Sequence, residues 1–323
     1  MTPGLPTTLP PLPSRQRSDG RRVCGHGYGL GPLRFEPGPF EESDVQTTWS
    51  RIQTKRLIAL QAHQDELSQR FQDQAQRDRA FQKLEASLAR KRKEELLEMR
   101  RVHGRPGLCR LETALVETLV QAGFVQVTTP TLLSRGLLAR MGVSEDHDLF
   151  EQVFWLDRDR CLRPMLAPHL YYVVKDLLRL WEKPLGIFEI GSCFRKESQG
   201  ARHSTEFTML NLCEFGLPAE DRSFRVQELT DLVTRAAGIG HYGLEEEEST
   251  VYGKTVDVMS EDGLELGSAA VGPHPLDHAW RITDTWVGIG FGLERLLMAA
   301  RRSSSIGRLG RSLAYLDGIT LNL

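Results

Sequence analysis

The stretch Cys193–Phe194–Arg195–Lys196–Glu197, followed after a short loop by Phe207–Thr208–Met209–Leu210–Asn211–Leu212–Cys213, has the two-residue period of a β-hairpin. The period places Arg195 and Glu197 on one face of the first strand. On the second strand it groups aromatic, amide and small side chains, namely Phe207, Met209, Asn211, Cys213 and Phe215. Because this mixture is unusual for a plain core, we predict that the face is the floor of a ligand site. The polar, basic loop between the strands suits closure over phosphates.

A second motif, Gly288–Ile289–Gly290–Phe291–Gly292–Leu293–Glu294–Arg295, runs from an apolar strand-like stretch into a helix-like segment. Its glycines let a backbone approach a nucleotide closely, and Arg295 lies in the first turn of the helix. Alone, each motif has an ordinary explanation, since a Gly-rich segment is often only a turn and an Arg-x-Glu strand is often a solvated edge. Together they favour a functional site.

An Arg-x-Glu hairpin followed by a GxGxxER turn resembles motifs 2 and 3 of the class II aminoacyl-tRNA synthetases, and the stretch Val125–Pro130 after an amphipathic helix resembles their motif 1. Within that class, residues from about 105 to 323 resemble the pyrrolysyl-tRNA synthetase family. The segments that carry this likeness are Leu162–Pro168, Ile187–Gly191, Arg195–Ser198, Glu206–Asn211, Val251–Gly253 and Leu316–Ile319. The preceding region is similar to the helices that come before the catalytic domain in the split bacterial form of the family. The tRNA-binding module of the fused form is not visible.

Three regions are predicted along the chain. Residues 1–42 are rich in Pro, Gly and Arg and are expected to be a disordered leader. Residues 43–103 are expected to be helical and to contact tRNA. The helical spacing is carried by Trp49, Ile52 and Arg56, by Leu67, Phe71 and Ala75, and by Phe81, Leu84 and Leu88. Gly104 and Pro106 break this pattern before residues 104–323, the expected catalytic domain.

The catalytic region is predicted to be an α+β class II fold, with an antiparallel sheet flanked by helices, because its central strands are linked by hairpins. Leu108, Leu111, Leu115 and Leu119 predict its first, amphipathic helix, and a hairpin is expected around 154–162. The later elements are predicted as a helix at 168–181, strands at 186–197 and 206–215, a helix at 220–237, and strands at 251–258 and 264–271.

Bulk composition restricts the function classes. The chain has 323 residues, 40% apolar, and a net charge of −2, which excludes a uniformly basic nucleic-acid binder and requires any tRNA contact to be a local patch. The five cysteines form no CxxC pair, so we expect reduced thiols and a cytoplasmic protein. Cys24 and His26 are at most half of a metal site. No apolar run is long enough to span a membrane, and no hydrophobic signal core is present.

The resemblance implies an ATP site that works by positioning and charge neutralisation. Arg195 is implied to hold the α-phosphate and the substrate carboxylate, and Glu197 to accept from the adenine amino group. Phe207 and Arg295 are implied to lie on the two faces of adenine. The catalytic residues implied are therefore Arg195 and Arg295. The outer phosphates are assigned to Arg202 and His203, and Mg²⁺ to Glu265 and Ser268. A spacing of three between the metal residues breaks strand alternation, and Gly267 could permit a bulge there.

The amino-acid pocket is expected to select a long, bulky side chain. Asn211 is predicted to donate its amide to a carbonyl of that side chain, although a buried Asn satisfied by backbone is the ordinary alternative. Tyr252, beside Gly253, is expected to cap the pocket. The other residues that match the family pocket are Ala167, Leu170, Tyr171, Val174, Cys213, Ala270, Trp286 and Gly288. Ala270 and Phe215 differ in type from the residues of well-known family members.

The basic residues of the helical region are the predicted tRNA contacts, namely Arg77, Arg79, Arg90, Lys91, Arg92 and Lys93. A solvated helix face with internal ion pairs is the alternative. The resemblance implies activation of pyrrolysine with ATP and Mg²⁺, esterification to an amber-suppressor tRNA, a homodimer, and in some cases a separate small tRNA-binding protein. The alternatives are a phenylalanine-type class II synthetase, which Asn211 and Cys213 argue against, and a non-catalytic synthetase-like protein, which the intact charged residues argue against.

Overall fold

The computed structural model describes residues 47–196, 204–303 and 305–323. The helices, in chain order, are α1 (Arg51–Ala59), α2 (Gln64–Leu67), α3 (Gln74–Glu98), α4 (Gly107–Gln121), α5 (Arg135–Ala139), α6 (Asp148–Gln152), α7 (Ala167–Leu177), α8 (Arg222–Ala236), α9 (Asp277–Trp280), α10 (Leu293–Ala300) and α11 (Ile306–Leu309). None of those within the described ranges is long and apolar enough to cross a membrane.

The strands, in chain order, are β1 (Thr47–Thr48), β2 (Arg70–Phe71), β3 (Val125–Gln126), β4 (Leu132–Ser134), β5 (Arg160–Leu162), β6 (Leu185–Phe194), β7 (Glu206–Phe215), β8 (Tyr242–Ser249), β9 (Gly253–Ser260), β10 (Glu265–Gly272), β11 (Trp286–Gly292), β12 (Tyr315–Leu316) and β13 (Ile319–Thr320). The central sheet has the order β3-β6-β7-β11-β10-β9-β8. It is antiparallel except where β3 pairs with β6. The predicted α+β fold is confirmed.

One face of this sheet is a closed core and the other holds a cavity. The closed face packs against α4, α8 and α10, and the leucines that predicted the amphipathic helix α4 are all buried in it. Alternate residues of β7 and β11 on this face are Leu210, Leu212, Val287, Ile289 and Phe291. Because a strand alternates its side chains, the intervening residues face the opposite side, where α7 and α9 pack. That side carries the candidate site.

The N-terminal region has a small core of its own and is not wholly helical. Trp49 lies before α1 and packs on Phe71 with ring centroids 4.4 Å apart, while Ile52 is 80% exposed. The predicted helical spacing through Phe71 was therefore wrong, because β1 and β2 pair there and bury that ring. Helix α3 starts afterwards, where the carboxylate of Asp73 accepts the backbone N–H of Gln76 at 2.7 Å.

This region contacts the C-terminal end of the chain. The amide of Gln61 donates to the carbonyl of Gly318 at 2.7 Å, and the Arg56 guanidinium donates to the carbonyl of Asn322 at 2.6 Å. Helix α3 continues into a π-helical turn that ends at Gly104, whose φ of 63° is left-handed. The predicted break is thus present, and the described residues on both sides of it belong to one compact unit. Separate domains on the two sides of Gly104 stay a prediction.

Several element predictions needed correction. Helix α7 ends four residues before the predicted end at Trp181. Strands β9 and β10 lie slightly later than predicted, and β8 was missed. Its run Glu245–Glu248 is exposed and disfavours a strand by propensity, but charged residues suit the edge of a sheet. In the predicted hairpin, a bridge joins Trp155 to Cys161, while β5 pairs along its length with β4.

Candidate active site

Alternate residues of β7 line one cavity of about 610 Å³. They are the residues that the two-residue period grouped: Phe207, Met209, Asn211, Cys213 and Phe215. The register continues this surface across the sheet, because Asn211 pairs with Gly290, and Gly290 pairs with Ser268. The cavity therefore runs over β7, β11 and β10. Ligand binding by this surface stays a prediction.

The glycines of β11 keep the cavity open beside Asn211. A Cβ atom at Gly290 would lie 2.8 Å from the Asn211 side-chain oxygen and 3.2 Å from the methyl group of Met209. One at Gly288 would lie 3.2 Å from the Trp286 ring. Any larger residue would therefore displace the side chains that line the floor. The Gly-x-Gly spacing matches the strand period, so both glycines face the cavity.

The metal residues predicted from the resemblance are brought together by a bulge in β10. Glu265 pairs with Met259 and Gly267 with Val258, so β10 carries one extra residue at this point. A Cβ atom at Gly267 would lie 2.4 Å from the carbonyl oxygen of Gly290, so only glycine fits there. The bulge places Glu265 and Ser268 along the same cavity despite their spacing of three.

Asp257 joins this group, and sequence reasoning missed it. It pairs across the sheet with Ser268. Burial raises the pKa of the Asp257 carboxyl and Glu265 adds to the rise, whereas the Ser268 hydroxyl and Arg295 oppose it. Two carboxylates and a hydroxyl therefore lie close together. Asp257 could have been found only from the register of β9 against β10, and the sequence does not show which residues of two strands lie opposite each other.

Arg295 neutralises part of this charge. Its guanidinium lies 3.0 Å from the carboxylate of Glu265 and donates to the carbonyl of the same residue at 3.3 Å. Glu294, the preceding residue, accepts the backbone N–H and the hydroxyl of Thr208 at 2.9 Å. The start of α10 is thereby tied to β7. These contacts position Arg295, which lines the same cavity as Phe207.

Arg195 directly follows β6, which ends at Phe194 and not at residue 197 as predicted, and it lines the same cavity. Its Nε donates to the carbonyl of Pro164 at 2.9 Å, and its guanidinium carbon lies 5.3 Å from the centre of the Phe207 ring. The neighbouring Arg163 is buried and pairs with Glu189 at 2.8 Å, which holds this backbone in place. The remaining predicted ATP residues, Glu197, Arg202 and His203, lie outside the described residues.

The other end of the cavity is walled by apolar and aromatic groups. Of the predicted pocket residues, those that line it are Ala167, Leu170, Tyr171, Asn211, Cys213, Tyr252, Ala270, Trp286 and Gly288. Val174 is fully buried in the core around it and is not among the lining residues. Burial raises the pKa of the Tyr171 and Tyr252 phenols and of the Cys213 thiol, so these walls are uncharged near neutral pH.

The amide of Asn211 faces this uncharged end. Within the described ranges, no hydrogen bond to its side chain is found. A side-chain amide beside a cavity can bind a ligand, and the contact of Asn211 with a substrate carbonyl stays a prediction.

The predicted tRNA contacts lie on α3 in two different settings. Arg79, Arg90, Lys91 and Lys93 are exposed and Arg77 is half-buried. Arg92 is only 6% exposed, donates to the side-chain oxygen of Gln61 at 2.6 Å and pairs with Glu95 at 2.8 Å. The structure therefore separates Arg92 from its neighbours, because its side chain turns toward the small core and theirs turn toward solvent.

Metal-binding clusters of three or more His, Cys, Asp or Glu side chains are not found in the described part of the chain. A hard cation that keeps several waters needs fewer protein ligands, and the oxygens of Asp257, Glu265 and Ser268 suit Mg²⁺. Cys109, Cys161, Cys193 and Cys213 are free thiols. Burial raises the pKa of the Cys193 thiol to about 12, which makes it unreactive near neutral pH. Cys24 and His26 lie outside the described residues.

Comparison with solved structures finds close likenesses. A crystal structure of pyrrolysyl-tRNA synthetase from Desulfitobacterium hafniense is 52% identical, with a TM-score of 0.80, covering 86% of this chain and 99% of that one. A second structure of a pyrrolysyl-tRNA synthetase from the same organism is 50% identical, with a TM-score of 0.79, covering 88% and 99%.

Curated sequences match over shorter stretches. The chain is 34% identical over 89 residues to a threonine–tRNA ligase of Ralstonia nicotianae, and 32% identical over 123 residues to a lysine–tRNA ligase of Bordetella bronchiseptica. These matches cover 26% and 38% of this chain, but only 14% and 21% of the two ligases. No protein-family model matches the chain.

Proposed function

This chain belongs to the pyrrolysyl-tRNA synthetase family of class II aminoacyl-tRNA synthetases, and we propose that it joins pyrrolysine to its cognate amber-suppressor tRNA in two steps. The amino-acid carboxylate first attacks the α-phosphate of ATP and pyrophosphate leaves. A hydroxyl of the tRNA end then attacks the adenylate carbonyl and AMP leaves. The observation that carries this proposal is one cavity with a charged end and an uncharged aromatic end, joined at Asn211.

The charged end suits the triphosphate. Arg195 supplies a planar guanidinium that can hold an α-phosphate oxygen and the attacking carboxylate together. Phe207 and Arg295 line the same cavity, which supports their proposed positions on the two faces of adenine. Catalysis then comes from orientation and from charge placed in advance, because phosphoryl-group chemistry of this kind needs no covalent intermediate with the protein.

We assign the metal site to Glu265, Ser268 and the added carboxylate of Asp257. Bound Mg²⁺ would supply neutralisation of phosphate charge during the attack. The raised pKa of Asp257 supports this assignment, because burial and the nearby Glu265 carboxylate both disfavour its ionised form and a bound cation would offset both effects.

Replacing Asp257 by Asn should raise the Mg²⁺ concentration for half-maximal adenylate formation by about tenfold. The free protein should not lose stability. Folding raises the pKa of this carboxyl, so its ionised form costs free energy at neutral pH, and the cost vanishes as the pH falls through the raised value. Mg²⁺ titration of ATP–pyrophosphate exchange and thermal denaturation measure the two effects.

The control for Asp257→Asn is Glu261→Gln, which changes an exposed carboxylate in the adjacent turn. An unchanged Mg²⁺ dependence would remove Asp257 from the site.

The uncharged end suits a long amino-acid side chain with one carbonyl. Asn211 is the polar group placed to bind it, and the neutral walls avoid burying a charge beside an apolar ligand. A free lysine brings an ammonium charge to the neutral walls formed by Tyr171, Cys213 and Tyr252, whereas an acylated lysine brings a carbonyl and no charge. This distinction favours pyrrolysine over free lysine as the substrate.

ATP–pyrophosphate exchange tests the proposal with pyrrolysine, a lysine carbamate and phenylalanine as substrates. We expect exchange with pyrrolysine and with the carbamate, and little with phenylalanine. Preference for phenylalanine would favour a phenylalanine-type synthetase. Absence of exchange with any amino acid would favour a protein that has lost catalysis. The arrangement of Arg195, Glu265 and Arg295 in one cavity argues against that last outcome.

The exposed cations of α3 are the proposed phosphate contacts for tRNA. Changing Arg90, Lys91 and Lys93 to Gln should weaken tRNA charging and reduce the slope of affinity against salt by roughly one per lost contact. Pyrophosphate exchange without tRNA should hardly change, because these residues lie outside the cavity. Arg92→Gln is the matched control, since its buried ion pair should affect stability and leave the salt slope alone. Equal losses in charging and exchange would mean that α3 only supports the fold.

A homodimer is also proposed, through the region that resembles motif 1. Val120 and Val125, at the end of α4 and in β3, are 51% and 41% exposed, and this apolar surface suits a second copy. Light scattering of the wild-type protein and of the Val125→Glu variant tests it. A cytoplasmic location and a separate tRNA-binding protein stay predictions.

A further inference from the structure

The carboxylate of Asp277 holds two walls of the amino-acid pocket together. It is 2% exposed, and it accepts the Tyr171 hydroxyl at 3.0 Å and the Trp286 indole N–H at 2.8 Å. It also accepts the backbone N–H of His274 at 2.6 Å. Asp277 does not line the cavity, so it acts on a ligand only through the residues that it binds.

His274 connects this anchor to the tip of the β8–β9 hairpin. Its Nδ1 accepts the backbone N–H of Leu276 at 3.2 Å, and its Nε2 lies 2.9 Å from the carbonyl oxygen of Tyr252. A backbone N–H needs an acceptor and a carbonyl needs a donor, so the two contacts fit the imidazole tautomer that carries its proton on Nε2. The Tyr252 ring lies 5.6 Å from the His274 ring and 6.3 Å from the Trp286 ring.

A second histidine binds the same hairpin tip in the same way. The Nδ1 of His147 accepts the backbone N–H of Leu149 at 3.1 Å, and its Nε2 lies 3.3 Å from the carbonyl oxygen of Thr250. Thr250 and Tyr252 both line the cavity, whereas neither histidine does. Two imidazoles from different segments thus hold two carbonyls of one turn.

We propose that His274 and His147 are positioning residues that hold the β8–β9 tip, and with it Tyr252, over the amino-acid pocket. We call these two histidines and the tip the latch. Asp277 aligns the latch with Tyr171 and Trp286. The proposal rests on the proposed function, and it adds a determinant of amino-acid selectivity that touches no substrate. Because the carbonyls of Thr250 and Tyr252 are both held, the tip closes the pocket at a fixed distance from its floor. Side chains long enough to reach Tyr252 therefore gain most from the latch.

The main test is the His274→Leu variant, which removes both hydrogen bonds and keeps a similar volume. The KM for pyrrolysine in pyrophosphate exchange should rise about fivefold, corresponding to one lost hydrogen bond of about 1 kcal/mol. The KM for ATP should stay unchanged, because the latch lies at the amino-acid end. His278→Leu, an exposed histidine on α9, is the matched control and should behave as wild type.

A double-mutant cycle separates positioning from general damage. In a Tyr252→Ala background, His274→Leu should have almost no further effect on the pyrrolysine KM, because the ring that the latch holds is gone. The same fivefold effect in both backgrounds, or an equal rise in the KM for ATP, would overturn the proposal. Combining His147→Leu with His274→Leu should raise the pyrrolysine KM further.

Amide hydrogen exchange of residues 250–253 in the intact, substrate-free protein tests the latch without any assumption about substrate. Exchange in His274→Leu should be about fivefold faster than in wild type, and that in His278→Leu should match wild type. Unchanged exchange would overturn the latch. If wild type activates no lysine derivative, the proposed function fails, while the hydrogen-exchange result still decides whether the two histidines hold the tip.

Discussion

Replacing Arg195 by Ala should reduce pyrrolysine-dependent ATP–pyrophosphate exchange by ~10²–10³-fold while leaving the protein folded. The guanidinium is held before any ligand arrives. Its Nε donates to the carbonyl of Pro164, and the neighbouring Arg163 is fixed by its buried pair with Glu189. A donor held in this way loses little entropy when charge develops on the phosphate, so its removal should lower kcat more than affinity.

Two variants sharpen this prediction. Arg195→Lys keeps a positive charge but loses the planar fork, so it should recover only part of the activity. Arg158→Ala removes an exposed arginine of the 157–160 turn and should leave exchange unchanged. Thermal denaturation of all three variants checks the fold. Near wild-type exchange by a folded Arg195→Ala protein would remove Arg195 from the phosphate site.

Replacing Asn211 by Ala should lower kcat/KM for pyrrolysine by about 10–100-fold, in line with the loss of a hydrogen bond to a desolvated carbonyl. Relative activity on phenylalanine-like substrates should rise, because the pocket loses a polar group and gains room. The position of Asn211 supports the prediction, since its side chain lines the cavity between Met209 and Cys213 and forms no hydrogen bond within the described ranges.

The control for this prediction is the nearly isosteric Asn211→Asp, which keeps the shape but replaces the donor by a carboxylate. It should lose pyrrolysine activity without gaining activity on phenylalanine, since it opens no space and adds a charge. Exchange assays with both substrates measure the ratio. An unchanged ranking of substrates in Asn211→Ala would show that another group reads the side chain.

Much of the site could be predicted because its signals are local. The two-residue period of β7 identified the residues that face the cavity. The glycines of β11 predicted a place where a ligand can come close to the backbone. The spacing of Glu265 and Ser268, with Gly267 between them, predicted the bulge that is present in β10. Each of these signals depends on the strand period or on one missing side chain, so a short stretch of sequence contains it.

Local periodicity was insufficient where packing outweighed propensity. Phe71 continued a helical pattern in the sequence. In the structure its ring is buried against Trp49, and its backbone belongs to β2, which pairs with β1. The glutamates of β8 disfavour a strand but occupy a sheet edge, where solvent surrounds them. Arg92 belonged to a basic run by sequence, but a helix turns successive residues through about 100°, and this one faces the core.

Which residues share a strand face, where the chain turns and which family's motifs it carries could be read from the sequence, because these features depend on neighbours within a few positions. The pairs of distant residues that meet in the site became known from the folded structure. Asp257 reaches Ser268 through strand register, and Asp277 binds Tyr171 across 106 residues of chain. Such contacts follow from sheet order and from burial of the whole core, and no local period encodes either of them.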